Sequence, residues 1–390
     1  MIPSARKKLF GGSAFKPSNK DHVLAAFSHR ILLDLPTGPT ASSLVAINAV
    51  KRHMRLIQKV TEDIVISTAA SEPILSLAAA QALTELEETY DTAIHTLAHQ
   101  LILNSAIDDR GQRGELITRL LLTMARDHAT EGAFGNKAFT SHTEREKTIQ
   151  TVTFSSLLRN MLGDGLAKGS NETVVEKLLK WGEDVHLNFT HFIQANTSID
   201  SVSESTLAEL WHLSAAVQCV FNQTIMDGFL VGYKGRIDLP FNPEKLIIIP
   251  WQTKAQMKAS SKATAAGLTS PTIIRPEKTA STKPMHAVLF FDLTTTANFA
   301  ESKGPILITH SSAVRQPNAV WAGYLTEEPQ RFCINIRGHG KKVYTHLQRG
   351  KLDASFSKLF DRALFSGPHG DTMEETADTW EEKVSNLRLL

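Results

Sequence analysis

Between Leu246 and Trp251 the chain reads Leu-Ile-Ile-Ile-Pro-Trp, a compact β-branched run without a charged residue. A run this short cannot cross a bilayer, and it fits a strand buried in the middle of a sheet. Further strand-length runs lie at Met226–Tyr233, Ala287–Leu293, Pro305–His310 and Arg331–Arg337. The C-terminal half is therefore expected to be α/β or α+β, built on a mixed sheet. Pro250 removes one ladder hydrogen bond from the central run, which points to an edge position or a bulge.

The N-terminal half has another period. Up to about Thr40 glycine, proline and lysine are scattered without a repeat, so a poorly ordered lead-in is expected. Leu44, Ile47, Val50, Met54 and Ile57 then recur at helical steps. Ser71-Glu-Pro73 offers a cap and a first-turn proline ahead of a helix over Ile74–Leu83. Helices follow over Leu86–Leu103 and Gly114–His128, the second with Leu116, Leu120, Leu121 and Met124 inward and Arg119 and Arg126 toward water. The loop from Asp108 to Gly114 between them reads as an exposed connection. Beyond a short strand at Thr148–Phe154, helices are expected over Ser155–Leu162, Glu172–Trp181 and Ser205–Phe221.

These elements suggest a helical domain over 41–200 and an α/β domain over 201–365, the latter carrying a Lys/Ser/Thr-rich insertion at 255–284. An acidic tail at 366–390 closes the chain with a helix over Glu374–Leu387. A length of 390 residues suits two packed units, since one domain takes roughly 100–200. Apolar residues at 42% supply enough core to fold most of it. A net charge of +2 gives no global field for a polyanion, so any nucleic-acid contact must come from a local patch. Cys219 and Cys333, far apart and without a second pair, build neither a disulfide framework nor a four-thiolate zinc site. With no secretory signal and no membrane span, an intracellular location in cytoplasm or nucleus is expected.

One constellation looks like chemistry. Asp227 opens a strand, and about 25 residues later Gln252 and Lys254 stand two apart, hence on one face of the next strand. If the strands pair, an acid, an amide oxygen and an ammonium meet just beyond an apolar sheet. Asp227 and Gln252 could hold a divalent ion there, and Lys254 could stabilise charge developing on a phosphodiester. The upstream helix could add Glu209 as a further acid, with Gln218 as another candidate.

The order helix, strand with Asp, strand with x-Lys resembles the core of the PD-(D/E)XK nuclease superfamily. Asn222-Gln223, Asp227 and Ile249-Pro-Trp-Gln-Thr-Lys254, together with the run from Asp109 to Asp127, are similar to uncharacterised fungal proteins related to Crinkler-type effectors. The resemblance spans about residues 60–345. It implies a Mg²⁺-dependent endonuclease acting on DNA or RNA, with Asp227, Gln252, Lys254 and Glu209 as catalytic residues and Asp227 and Gln252 on the metal. Gln252 stands where active members carry Asp or Glu, which removes a negative charge from the ion site. The other expectation is a non-catalytic effector-like or transposon-derived interaction protein, with the helical half docking a protein partner.

Weaker signals surround these. Arg337, His339, Lys341 and Lys342 form a basic strand-end loop that could touch phosphates. His95 and His99 have the spacing of a helical zinc pair but no adjacent glutamate base, so they read as polar helix surface. No Walker loop, dinucleotide fingerprint or nucleophile elbow is present. Cys219 reads as a buried structural thiol.

Overall fold

The computed structural model describes residues 1–33, 35–37, 50–60, 65–85, 87–103, 110–132, 151–166, 170–220, 223, 226–255, 268, 270–275, 285–293, 305–311, 331–348 and 351–360. In chain order the helices are α1 Ile2–Leu9, α2 Lys20–Ile31, α3 Pro73–Leu83, α4 Glu87–Leu103, α5 Arg110–Gly132, α6 Phe154–Leu162, α7 Glu172–Glu183, α8 Glu204–His212 and α9 Leu352–Phe360. The first strands are β1 Leu35–Thr37, β2 Arg55–Val60, β3 Val65–Ala69, β4 Val152–Thr153, β5 Val185–Leu187, β6 His191–Gln194 and β7 Ser201–Ser203. The rest are β8 Ala215–Gln218, β9 Gly228–Lys234, β10 Leu246–Lys254, β11 Thr272–Ile274, β12 His286–Asp292, β13 Ile306–Ser311 and β14 Arg331–Arg337. The architecture is mixed α+β.

Among the described residues nine strands form one mixed sheet. Its path runs β13-β14-β12-β10-β9-β5-β4, with β8 joining β9 and β6 joining β8. Around the middle, β8 and β10 flank β9 antiparallel, while β10, β12 and β14 run parallel. Alternation along β9 and β10 divides the side chains between two layers. Leu230, Ile247, Ile249 and Trp251 enter the main core, and Phe229, Val231, Leu246 and Ile248 enter a second core beneath α8. Full burial of a side chain such as Phe229 contributes about 1.5–3 kcal/mol.

Pro250 sits in a central strand, not at an edge. It stands opposite Phe229, and pairing with β12 begins one residue later, at Trp251, so its missing N–H falls before that ladder starts.

Several sequence expectations are corrected. The lead-in before Thr40 contains α1 and α2, whose Leu9, Phe10, Val23, Phe27 and Ile31 lie in the main core. Asn19 starts α2 by accepting from the N–H groups of Asp21 and His22. Periodicity failed there because His22, Ser28, His29 and Arg30 are buried as well.

The helix expected from Leu44 through Ile57 is described as helix at residues 50–53, but from Arg55 the chain is strand β2. Met54 takes φ +56° just before it, and β2 pairs with β3. Likewise the expected helix Ser205–Phe221 stops at His212. Ser214 adopts φ +52°, and Ala215–Gln218 continues as a buried strand. The strand expected over 148–154 is described only at Val152–Thr153. The tail and its helix lie outside the described residues, as does most of the 255–284 insertion, of which Leu268 is buried and β11 pairs with β7.

Helix α5 lies within the core. Every residue from Leu116 to Thr130 is buried, including Arg119 and Arg126, which were expected in water. The main core draws on α1, α2, α3, α4 and α5 together with β9, β10, β12 and β14, so it crosses residue 200 without a break. Among the described residues no helix is long and apolar enough to cross a membrane.

Candidate functional site

Asp227 precedes β9, and its backbone is fixed on both sides. Its N–H donates to the Trp251 carbonyl at 2.9 Å, and its carbonyl accepts from the Cys219 N–H at 2.8 Å. Continued one step before Gly228, the alternation of β9 places Asp227 on the face of Phe229 and Val231. The same alternation along β10 places Gln252 and Lys254 on that face, while Thr253 turns to the opposite one. The three residues chosen from the sequence thus share one face at one end of the β9–β10 pair.

Closer contacts define the acid. Asp227 Oδ2 accepts the Thr253 N–H at 2.6 Å. Burial raises its pKa to about 6, against the Thr253 hydrogen bond and the charges of Lys254 and Arg119, which lower it. Lys254 closes β10, and its carbonyl accepts from the Leu293 N–H at 2.8 Å. It also faces Asp292 in the parallel register, and Asp292 in turn faces Arg337. Arg337 therefore occupies the same sheet end as Lys254, two strands and about 10 Å away. The basic loop continues from it. Lys342 is exposed, and Lys341 pairs with Asp353 at 3.9 Å.

The raised carboxyl carries a signed consequence for stability. Its folded value of about 6 exceeds the ordinary 3.8, so the native state holds this proton more tightly than the unfolded chain does. Stability from this group is full below pH 3.8 and declines as pH rises through 6, a loss of ~3 kcal/mol at most. Asp227→Asn keeps an acceptor for Thr253 and removes the charge. Its stability relative to the native protein is expected to improve between pH 4.5 and pH 7.5 in urea melts. An unchanged difference at the two pH values would mean that the Asp227 carboxyl is not raised.

What the sequence did not indicate is the support contributed by α5, on the sheet face opposite the one that Gln252 and Lys254 share. Its first turns sit on the end of β10, where Thr118 Oγ1 lies 2.7 Å from Thr253 Oγ1. A methyl on Gly114 would come within 2.6 Å of the Ala255 Cβ. Residues 110–114, expected in an exposed connection, are the first turn of this helix.

From α5, Arg119 donates to the Ile31 carbonyl at 2.9 Å and to Gln218 Oε1 at 2.6 Å. Gln218 Nε2 in turn donates to Glu115 Oε2 at 2.7 Å. Cys219 lies beside this group. Burial first, then the charges of Asp227 and Glu115, push its thiol up to about 12, which keeps it protonated and inert. Gln218 therefore joins the group from β8, not from the expected helix. Glu209 is exposed on α8 and is not among the groups that shift Asp227.

No family model, curated protein or solved structure matches this chain.

Among the described residues no group of three or more His, Cys, Asp and Glu is placed to hold a metal. Magnesium, however, commonly takes one or two carboxylates and keeps several waters. At Asp227 one carboxylate oxygen, Oδ2, is already engaged by the Thr253 N–H. His95 and His99 are exposed on α4, as expected of polar helix surface.

Proposed function

We propose that this chain carries a PD-(D/E)XK-like phosphodiesterase fold that acts on or binds DNA or RNA, with its site at Asp227, Gln252 and Lys254. The observation that carries this reading is the shared face: an acid before β9 and a lysine closing β10 act on each other electrostatically at one sheet end. The order α8, β8, β9, β10, with β12 returning parallel to β10, supports it. So does the basic loop from Arg337 through His339 to Lys341 and Lys342 at the same sheet end.

In this reading Asp227, with a pKa of about 6, is a carboxylate at neutral pH and offers its charge to the ion that activates the attacking water. The Lys254 ammonium stabilises charge gathering on the phosphoryl oxygens, and the charge of Arg119 favours the carboxylate form of Asp227. A bound Mg²⁺ would lower the pKa of the water and neutralise phosphate charge, held by Asp227 Oδ1 and Gln252.

Purified protein is expected to nick plasmid or cut single-stranded DNA or RNA in Mg²⁺ or Mn²⁺. Asp227→Ala and Lys254→Ala are each expected to lower the rate by ~10²-fold or more. Cleavage that survives both substitutions unchanged, or no cleavage on any substrate, would remove the catalytic reading.

One observation favours a second reading, a degenerate nuclease fold kept for interaction. Asp227 spends one oxygen on the Thr253 amide, and Gln252 supplies no charge to help hold an ion. A protein of that kind binds nucleic acid or a protein partner without cutting. Asp227→Asn would then leave binding intact.

A further inference from the structure

Ser71 does not cap α3. The N-cap is Glu72, which makes no side-chain cap bond, and the Ser71 hydroxyl lies instead 2.8 Å from His191 Nε2. Ser71 is exposed and His191 is 2% exposed, so a surface hydroxyl rests on a buried imidazole.

Thr190 Oγ1 lies 3.3 Å from the Ser214 carbonyl, which can only accept, so the threonine proton goes there. With its proton there, Thr190 Oγ1 accepts from His191 Nδ1 at 3.0 Å, in the tautomer that carries the imidazole proton on Nδ1. Burial, then the nearby Arg30 and His29, hold His191 neutral, with its pKa lowered to about 4. Nε2 is therefore a bare lone pair, and Ser71 must donate to it.

The support is rigid. The Thr190 carbonyl is gripped by Arg30 Nε at 2.6 Å and by Ser76 Oγ at 2.8 Å.

We propose that Ser71 and His191 form a nucleophile–base pair that takes acyl groups from carboxylic esters with good leaving groups, aryl esters above all. Ser71 Oγ bonds to the acyl carbon while its proton passes to His191 Nε2. The bond from that carbon to the aryl oxygen breaks, and the aryloxide leaves with the electron pair. His191 gives the proton up to solvent, and water later hydrolyses the acyl-serine, releasing a carboxylic acid and restoring the hydroxyl. Burial, Arg30 and His29 oppose a charged imidazole, so His191 is a weak base that takes the Ser71 proton only where attack is easy, as on an ester activated by its leaving group. That preference selects aryloxides, which depart without being protonated. The site is independent of Asp227.

The test incubates the full chain with 4-nitrophenyl acetate and maps the acetyl group by peptide mass spectrometry. Ser71 is expected to be acetylated at least tenfold faster than the exposed Ser205, which bonds only to Ser203 among the described residues. Ser71→Ala, at an exposed position, should abolish the mapped adduct with an unchanged melt. His191→Gln should slow acetylation of Ser71 by tenfold or more. Labelling of Ser71 no faster than Ser205 overturns the proposal. So does a Ser71 rate that survives His191→Gln in a protein that still folds.

Discussion

Asp127→Ala is expected to destabilise the protein by ~3–5 kcal/mol, enough to leave a marginal domain largely unfolded. The reason is a charge count in a dry place. Asp127 on α5 takes both arms of its bond from Arg30 Nη2, at 2.8 and 3.1 Å, and Arg126 Nη1 approaches the same carboxylate at 3.3 Å. The side chains of Arg30, Asp127 and Arg126 are 0%, 2% and 3% exposed. Burial and the neighbouring Arg30 already press the Arg126 pKa down, and Asp127 is what opposes them. Without the carboxylate two guanidinium groups face each other away from water. The contrast lies in the exposed pair Arg236–Asp238, with side chains 71% and 61% exposed. Asp238→Ala should leave the urea midpoint unchanged. Equal midpoints for Asp127→Ala and Asp238→Ala would show that the buried cluster holds nothing together.

The same cluster explains why parts of this fold were opaque from the chain alone. The sheet was legible where burial makes a strand continuously apolar. Leu246–Trp251 and Ala287–Leu293 fall within a residue or so of β10 and β12, except that β10 runs on to Lys254, and Arg331–Arg337 coincides with β14. Helix α2 was missed because its buried residues include His22, Ser28, His29 and Arg30, each matched to a partner outside the helix, so no apolar stripe marks it. Arg119 and Arg126 were sent to water for the same reason: a charged residue reads as surface until its acceptors are known. At the site, the pattern of alternation gave Asp227, Gln252 and Lys254 a common face. The support from α5 could not be read this way, since Thr118 meets Thr253 across 135 positions of sequence and Arg119 meets Gln218 across 99.

Gly228→Ala is expected to be the most damaging single methyl in the sheet. Gly228 faces Trp251 on one side and Gln218 on the other, so its strand is closed in by two neighbours at once. A Cβ built there would collide with the Val217 carbonyl oxygen and come within 2.6 and 2.7 Å of two indole carbons of Trp251. Neither obstacle yields easily. One is backbone, and the other is a fully buried ring in the main core. Gly232 on the same strand is the fair comparison, because a methyl there meets Ile247 and Val185 at 3.0 and 3.1 Å, both flexible side-chain carbons. Overpacking at Gly228 is expected to cost ~3 kcal/mol or more, against ~1 kcal/mol at Gly232. The damage would also reach function, since the next residue back is Asp227, whose N–H and carbonyl bind the same two flanking strands. Urea melts of the two variants, read beside the pH dependence of stability attributed to Asp227, would separate these effects. Gly228→Ala should lose that dependence and Gly232→Ala should keep it, and the same cost at both positions would mean that β8 and β10 do not close on β9 at Gly228.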